Sequence, residues 1–170
     1  MAPVYRRAPS VIRLILETLL HTVLFPGTVI VAMPYLLLSS SLEVYSFSSG
    51  PLRVVGGLSV LVGIFLGLSC TRHFVVSGRG TPNPVDPPRV LVREEPYQVV
   101  RNPMYVSVVL ILAGEALVFG SVTLSAYLLL IILMVHLFVV LYEEPTLRHF
   151  FGSAYEEYCR RVPRWIPRVA

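Results

Sequence analysis

The stretch LYEEPTLRHFFGSAYEEYCRRVPRWIP, residues 141–167, follows a long apolar run and begins with two adjacent carboxylates, Glu143 and Glu144. The run before them, residues 122–142, is long enough to cross a bilayer as a helix. Charged groups at the edge of such a segment need a compensating partner, because hydrocarbon solvates them poorly. The sequence therefore predicts a membrane helix that ends at a polar site.

The composition of the whole chain indicates a membrane protein. Hydrophobic residues make up 55% of the 170 residues, charged residues only 14%, and the mean hydropathy of +0.71 is too high for a soluble domain of this size. We predict an all-α integral membrane protein with one domain, residues 1–170, in which residues 1–75 form an N-terminal two-helix hairpin. The predicted spans are residues 14–38, 54–71, 104–120 and 122–142.

The positions of the basic residues predict the orientation. All 14 are arginines, and with a cytoplasmic N-terminus only Arg53 lies outside. Both termini, the long central loop and the carboxylate pair are then cytoplasmic, in an inner or plasma membrane. The net charge of +4 indicates orientation and anion binding rather than a nucleic-acid partner. Neither a disulfide nor a metal site is predicted from Cys70 and Cys159, which have no paired spacing.

Two segments outside the spans have a predicted role. The loop between the second and third spans has six prolines between Pro82 and Pro103, and its second half is apolar. We expect it to fold over a site and to become ordered when a cofactor binds. Beyond Glu144, apolar residues recur every three or four positions, which predicts an amphipathic helix that is also suited to the membrane interface. A ridge of small residues, Ser59, Gly63 and Gly67, predicts that another helix packs closely against the second span. We expect this helix to belong to the same monomer; dimerisation is the alternative.

Four ionisable residues lie inside the predicted spans and are candidates for function because each is costly in hydrocarbon. Glu17 and His21 can pair with each other on one helical face. Glu115 lies toward the outer end of its span, where a structural hydrogen bond is the simpler interpretation. His136 precedes Glu143 by two helical turns and shares its face; a packed, hydrogen-bonded histidine is the alternative to a catalytic one.

The order of the spans brings two polar segments together. RNPMY, residues 101–105, opens the third span on the side where Glu143 and Glu144 close the fourth. Pro103 suits the first turn of a helix, whose free N–H groups together with Arg101 favour an anion. The two carboxylates favour a cation. Such a site suits the carboxylate and the ammonium of an amino acid, although the carboxylates can instead pair only with Arg101 or Arg148.

RNPMY, a short helical hairpin and then EEPTLRHFFGSAYEEYCRRVPRWIP resemble the integral-membrane methyltransferases that include isoprenylcysteine carboxyl methyltransferase and the phospholipid N-methyltransferases. The resemblance covers residues 80–167, and GTPNPVDPPRVLVREEPYQVVRNPMY is similar to bacterial members. It implies that residues 76–170 form a half that binds S-adenosylmethionine. The residues implied for the cofactor are Tyr97, Arg101, Asn102, Pro103, Tyr105, Glu143 and Glu144. Asn102 stands where many relatives have histidine.

The resemblance implies methyl transfer to a lipid or lipid-linked acceptor without a metal. A carboxylate acceptor needs a positioning cation such as Arg161 or Arg164, whereas an amine acceptor needs deprotonation, in which a carboxylate or His136 can assist. Two other functions stay open. One is a nicotinamide-dependent membrane reductase of the same wider fold, and the other is a noncatalytic membrane partner subunit or channel. The sequence does not predict the oligomeric state.

Overall fold

The computed structural model describes residues 26–44, 49–76 and 95–168, and in these segments all regular elements are helical. A π-helical turn, Thr28–Ala32, leads into α1, Met33–Leu38. The long α2, Gly50–Val76, precedes the hairpin of α3, Pro103–Phe119, and α4, Val122–Phe138. A second π-helical turn, Val139–Glu143, connects α4 to α5, Glu144–Phe151, which is followed by α6, Ser153–Arg161. The all-helical prediction is confirmed.

Two helical stretches are long and apolar enough to cross a membrane, Gly50–His73 and Val122–Phe151, of 24 and 30 residues. The helix Pro103–Phe119 is apolar but has 17 residues, which rise about 26 Å and fall short of a full bilayer core. Four spans therefore remain a prediction. Residues 14–25 of the first predicted span and residues 77–94 of the central loop lie outside the described residues, so the prediction of a cofactor-ordered loop is untested.

The hairpin between α3 and α4 forms where the sequence predicts it. Gly120 ends α3 with a positive φ of 63°, a conformation that glycine adopts without a steric penalty. Ser121 then caps α4, because its hydroxyl accepts a hydrogen bond from the Leu124 N–H at 2.9 Å. The segment before α2 pairs with this end of the hairpin, since the Val122 N–H donates to the Val44 carbonyl at 2.9 Å.

The core contact of the fold is the close packing of α2 against α3. A Cβ added at Gly63 would lie 2.9 Å from the Ser107 carbonyl, and the Ser59 hydroxyl donates to the Leu110 carbonyl at 2.8 Å. The predicted ridge of small residues thus packs within the monomer, as expected. Gly56 extends it by one turn and meets Gly114 of α3. Small side chains let the two backbones approach closely enough for van der Waals contact along both helices.

Neighbouring glycines of α2 offer a direct test of this packing. Gly56→Ala should lower the free energy of unfolding by about 1–3 kcal/mol, because the new Cβ would lie 2.7 Å from the Gly114 carbonyl oxygen. Gly57→Ala is the matched control, since no atom of the described residues lies within 4 Å of its Cβ position. It should be neutral or slightly stabilising, because alanine has the higher helix propensity. Unfolding in mixed micelles by a denaturing detergent measures both; equal stability of the two variants would contradict the packing.

The C-terminal helical region differs from the prediction of a single amphipathic helix. It is divided into α5 and α6 by Gly152, which has φ 52° and ψ −130°. That backbone conformation is essentially restricted to glycine and cannot continue a helix. The two short helices keep the predicted amphipathic pattern, and Tyr155 and Tyr158 form the buried side of α6 together with Val162.

Candidate functional site

Three segments meet at the end of the bundle opposite the α3–α4 hairpin. They are the turn before α3, the junction of α4 with α5, and the chain after α6, residues 162–168, which we call the C-terminal segment. The Arg101 N–H donates to the Pro163 carbonyl at 2.8 Å, and the Asn102 side-chain amide donates to the Arg164 carbonyl at 3.3 Å. Backbone contacts therefore tie the C-terminal segment to the start of α3.

Pro103 occupies the first turn of α3, as predicted, and is fully buried. Asn102 precedes it as the N-cap residue, yet its side chain does not cap the helix. Its amide is directed instead to the C-terminal segment, so the first-turn N–H groups are not capped by this side chain. Uncapped N–H groups at a helix start carry partial positive charge and favour an anionic group.

Glu144 is the centre of an ion-pair cluster. Its carboxylate accepts two hydrogen bonds from the Arg164 guanidinium, at 2.6 and 3.0 Å, and lies 3.1 Å from Arg101 and 3.6 Å from Arg148. Only 4% of its side chain is exposed. A bidentate arginine pair of this kind is strong and geometrically specific. The negative charge of Glu144 is thus compensated within the protein, by the two arginines considered from sequence and by Arg164. The hydrogen bond to Glu144 also raises the pKa of Arg164, so this guanidinium stays charged.

Glu143 has a different environment although it is the adjacent residue. The Tyr105 phenol donates a hydrogen bond to its Oε2 at 3.0 Å. Within residues 26–44, 49–76 and 95–168, no arginine or histidine forms an ion pair with it. The π-helical turn ends here, with the Glu144 N–H bonded to the Val139 carbonyl five residues back. Glu143 is therefore the carboxylate of the pair whose charge has no cationic partner in the described part of the chain.

His136 is linked to this cluster through Trp165 of the C-terminal segment. The indole Nε1–H donates to His136 Nδ1 at 3.2 Å, and the ring centroids are 6.2 Å apart. The same indole meets the Tyr105 ring edge to face, at 6.4 Å and an interplanar angle of 63°. His136 and Glu143, predicted to share one helix face, are thus connected through two aromatic side chains.

Tyr97 lies in the turn before α3 and is buried. Its carbonyl accepts a hydrogen bond from the Tyr158 phenol at 2.6 Å, which fixes this turn against α6, and its side chain packs with Cys70 of α2. Burial raises the pKa of the Tyr97 phenol well above its usual value, so this group is neutral at physiological pH. Tyr97 therefore connects the turn to two helices and contributes no charge.

Arg161 is not brought to the cluster. Its side chain is 76% exposed and pairs with Glu157 one turn earlier on α6. Such surface pairs contribute little to stability. Of the three residues predicted for catalysis, His136 and Arg164 lie at the site, and Arg164 is engaged with Glu144.

Sequence reasoning missed two contributors to the site, Cys159 and Trp165. It names Arg148 only as an alternative partner of the carboxylates. The Arg101 guanidinium lies 2.7 Å from Cys159 Sγ, so this free cysteine is part of the cluster's surroundings. A signal for Trp165 was available, because it is the single tryptophan of the chain and is flanked by prolines in VPRWIP.

The remaining intramembrane candidates do not join the cluster. Glu17 and His21 lie outside the described residues. Glu115 lies in the half of α3 nearer the hairpin, and its Oε2 has no hydrogen-bond partner within the described segments. The structural hydrogen bond predicted for Glu115 is therefore not found at Oε2 within these segments.

Comparison with known proteins places the chain in a family. The family described as phospholipid methyltransferase matches residues 51–154, more than half of the chain. The nickel-cobalt-cadmium resistance protein NccN of Alcaligenes xylosoxydans xylosoxydans is 30% identical over 122 residues, which cover 72% of this chain and 53% of that protein. The chain thus spans about half the length of this curated relative. No solved structure matches significantly. On the strength of the family match, which includes both RNPMY and the carboxylate pair, this chain is a member of the phospholipid methyltransferase family.

Proposed function

We propose that the protein transfers a methyl group from S-adenosylmethionine to a lipid or lipid-linked acceptor at the end of the bundle that carries Glu143 and Glu144. The observation that carries this proposal is the difference between the two carboxylates. Glu144 is compensated by arginines, whereas Glu143 is hydrogen-bonded to a neutral phenol and has no cationic partner among the described residues. In a member of this methyltransferase family, such a carboxylate suits the ammonium group of the cofactor.

The charged and polar groups of the site suit both charged ends of an amino acid. Glu143 would hold the ammonium, and the uncapped N–H groups of the first turn of α3, behind Asn102 and Pro103, would hold the carboxylate. Arg101 and Glu144 would keep the turn and the α4–α5 junction in place. Tyr105 would orient Glu143 through its hydrogen bond. The cofactor supplies an activated methyl group on its sulfonium, so the protein needs neither a metal nor a covalent intermediate.

The chain's own contribution to the reaction is alignment and exclusion of water. The acceptor lone pair must lie behind the methyl group, and a lipid acceptor can arrive sideways from the bilayer because α2 and α4 present exposed apolar faces, with Phe65 and Leu129 as examples. Both a carboxylate of an isoprenylcysteine-like substrate and a phospholipid amine remain possible acceptors. His136, which the Trp165 indole links to the cluster, lies on α4 and is our candidate contact for the acceptor.

We place this end of the bundle, and both termini, on the cytoplasmic side of the membrane. Thirteen of the 14 arginines then lie inside, as the positive-inside rule requires. The polar cofactor would enter from the cytoplasm, while the lipid stays in its leaflet. A reporter that is active only outside the cytoplasm can be fused to the C-terminus. Activity of this reporter would contradict the orientation.

Ligand-induced stabilisation tests which cofactor the protein binds. S-adenosylhomocysteine at about 100 times its Kd should stabilise the purified protein by about 2.7 kcal/mol, because it binds only the folded state. NADPH is the comparison ligand and should leave the melting temperature unchanged. Stabilisation by NADPH alone would favour the membrane reductase. If neither ligand shifts the melting temperature of well-folded protein, the noncatalytic partner subunit becomes the better interpretation.

A further inference from the structure

We infer that Trp165 is a positioning residue that fixes His136 in its Nε2–H tautomer, which makes His136 a hydrogen-bond donor to an anionic oxygen of the acceptor rather than a base. This inference rests on the proposed function for the identity of the reaction. Its first half, the tautomer, depends only on the contact between the two side chains.

The tautomer follows from the chemistry of the two rings. An indole nitrogen carries a hydrogen and can only donate, so His136 Nδ1, at 3.2 Å from Trp165 Nε1, must accept. A neutral imidazole carries one proton, which is then on Nε2. To remove a proton from the methyl acceptor, a histidine needs an unprotonated ring nitrogen. In this tautomer the unprotonated nitrogen of His136 is Nδ1, which already accepts a hydrogen bond from Trp165. His136 in this state can donate through Nε2 but cannot act as a base.

The position of Trp165 is fixed by its neighbours rather than by its own side chain alone. The carbonyls of the two preceding residues, Pro163 and Arg164, accept hydrogen bonds from residues 101 and 102. The Arg164 side chain is bound to Glu144 through two hydrogen bonds. The indole therefore reaches His136 from a segment that is held at three points. The contacts that build the ion-pair cluster also determine the tautomer of His136.

His136 Nε2 makes no hydrogen bond to any residue that the structure describes, so its donor capacity is not used there by the protein. A negatively charged oxygen is the strongest partner for such a donor. In a lipid acceptor this oxygen belongs either to a headgroup phosphate or to the carboxylate that receives the methyl group. In both cases Trp165 would act on acceptor binding without touching the acceptor.

A membrane anchor is the structural alternative for Trp165, because tryptophan is enriched at bilayer interfaces. An anchoring role requires the ring but not the hydrogen bond to His136. Trp165→Phe separates the two roles, since phenylalanine keeps the aromatic ring and removes the N–H. Ile166→Ala is the matched control, because this neighbouring side chain is 78% exposed and also suits the interface.

The tautomer can be read directly by NMR of the full-length protein in nanodiscs with ¹⁵N- and ¹³C-labelled histidine. The His136 signals are assigned by their loss in His136→Asn. We expect the Nε2–H tautomer alone in the unmodified protein and in Ile166→Ala, and a mixture of both neutral tautomers in Trp165→Phe. An Nδ1–H tautomer in the unmodified protein, or no change in Trp165→Phe, would overturn the inference. Binding of S-adenosylhomocysteine to the same samples reports separately on the proposed function.

The role in acceptor binding has a kinetic signature. Trp165→Phe should raise KM for the acceptor about tenfold, the scale of a weakened hydrogen bond to a charged group, with KM for S-adenosylmethionine unchanged. An increase with phospholipid vesicles alone identifies the phosphate as the partner of His136. An increase with a prenylated cysteine analogue alone identifies the carboxylate. An unchanged acceptor KM in both assays would show that His136 makes no donor contact to the acceptor.

Discussion

Glu144→Ala is expected to lower the free energy of unfolding by about 3 kcal/mol, the lower end of the range for breaking a buried ion pair. The substitution leaves Arg101, whose side chain is 11% exposed, without a carboxylate partner among the described residues. It also removes both hydrogen bonds of the Arg164 guanidinium. The loss is at the lower end because Arg148, the third arginine, is 53% exposed and can be solvated. Detergent-induced unfolding and the melting temperature measure the effect.

Glu157→Ala is the matched control for this substitution. Glu157 also pairs with an arginine four residues away, Arg161, but both side chains are largely exposed. Its removal should change the free energy of unfolding by less than about 1 kcal/mol. Equal stability of the two variants would mean that the ion-pair cluster around Glu144 does not hold the C-terminal segment in place.

Glu143→Gln is expected to weaken S-adenosylmethionine binding by about 10- to 150-fold, which corresponds to about 1.5–3 kcal/mol for a hydrogen bond to a charged group. Glutamine keeps the shape of the side chain and can still accept the hydrogen bond from Tyr105, so the fold should be retained. What it loses is the negative charge that would hold the ammonium. Calorimetric titration with S-adenosylmethionine, together with the melting temperature, measures both consequences.

Glu156→Gln provides the comparison for this second substitution. Glu156 is exposed on α6, and the change removes the same charge from the protein without altering the site. It should leave the affinity unchanged. Normal affinity in Glu143→Gln would exclude Glu143 from cofactor binding, whereas a lower melting temperature at unchanged affinity would make it a structural residue.

The parts of the fold that could be predicted from the sequence are those that depend on local interactions. Gly120 and Ser121 end one helix and cap the next through contacts within four residues, and Pro103 is restricted to a first turn by its missing N–H. The small residues facing α3 were also recognisable, because the four-residue spacing of Ser59, Gly63 and Gly67 aligns them on one face of α2. In each case the chemistry of the residues themselves limits the structure.

The parts that could not be predicted depend on contacts between distant residues. Nothing near Trp165 in the sequence indicates that its partner is His136, 29 positions earlier. The helical periodicity continues across Gly152, so the break between α5 and α6 is a backbone feature that the apolar pattern does not show. The different environments of Glu143 and Glu144 likewise depend on which residues of α3 and of the C-terminal segment reach each carboxylate.

The attachment of the C-terminal segment to the start of α3 has a consequence for biosynthesis. Ribosomes make the chain from its N-terminus, so α2, α3 and α4 are all synthesised before residues 162–168 exist. During that interval the Arg101 N–H has no Pro163 carbonyl to bind, and Glu144 lacks Arg164. The site can therefore assemble only after the last residues of the chain have been added. A chain truncated after residue 161 should still insert its helices into the bilayer, with its ion-pair cluster incomplete.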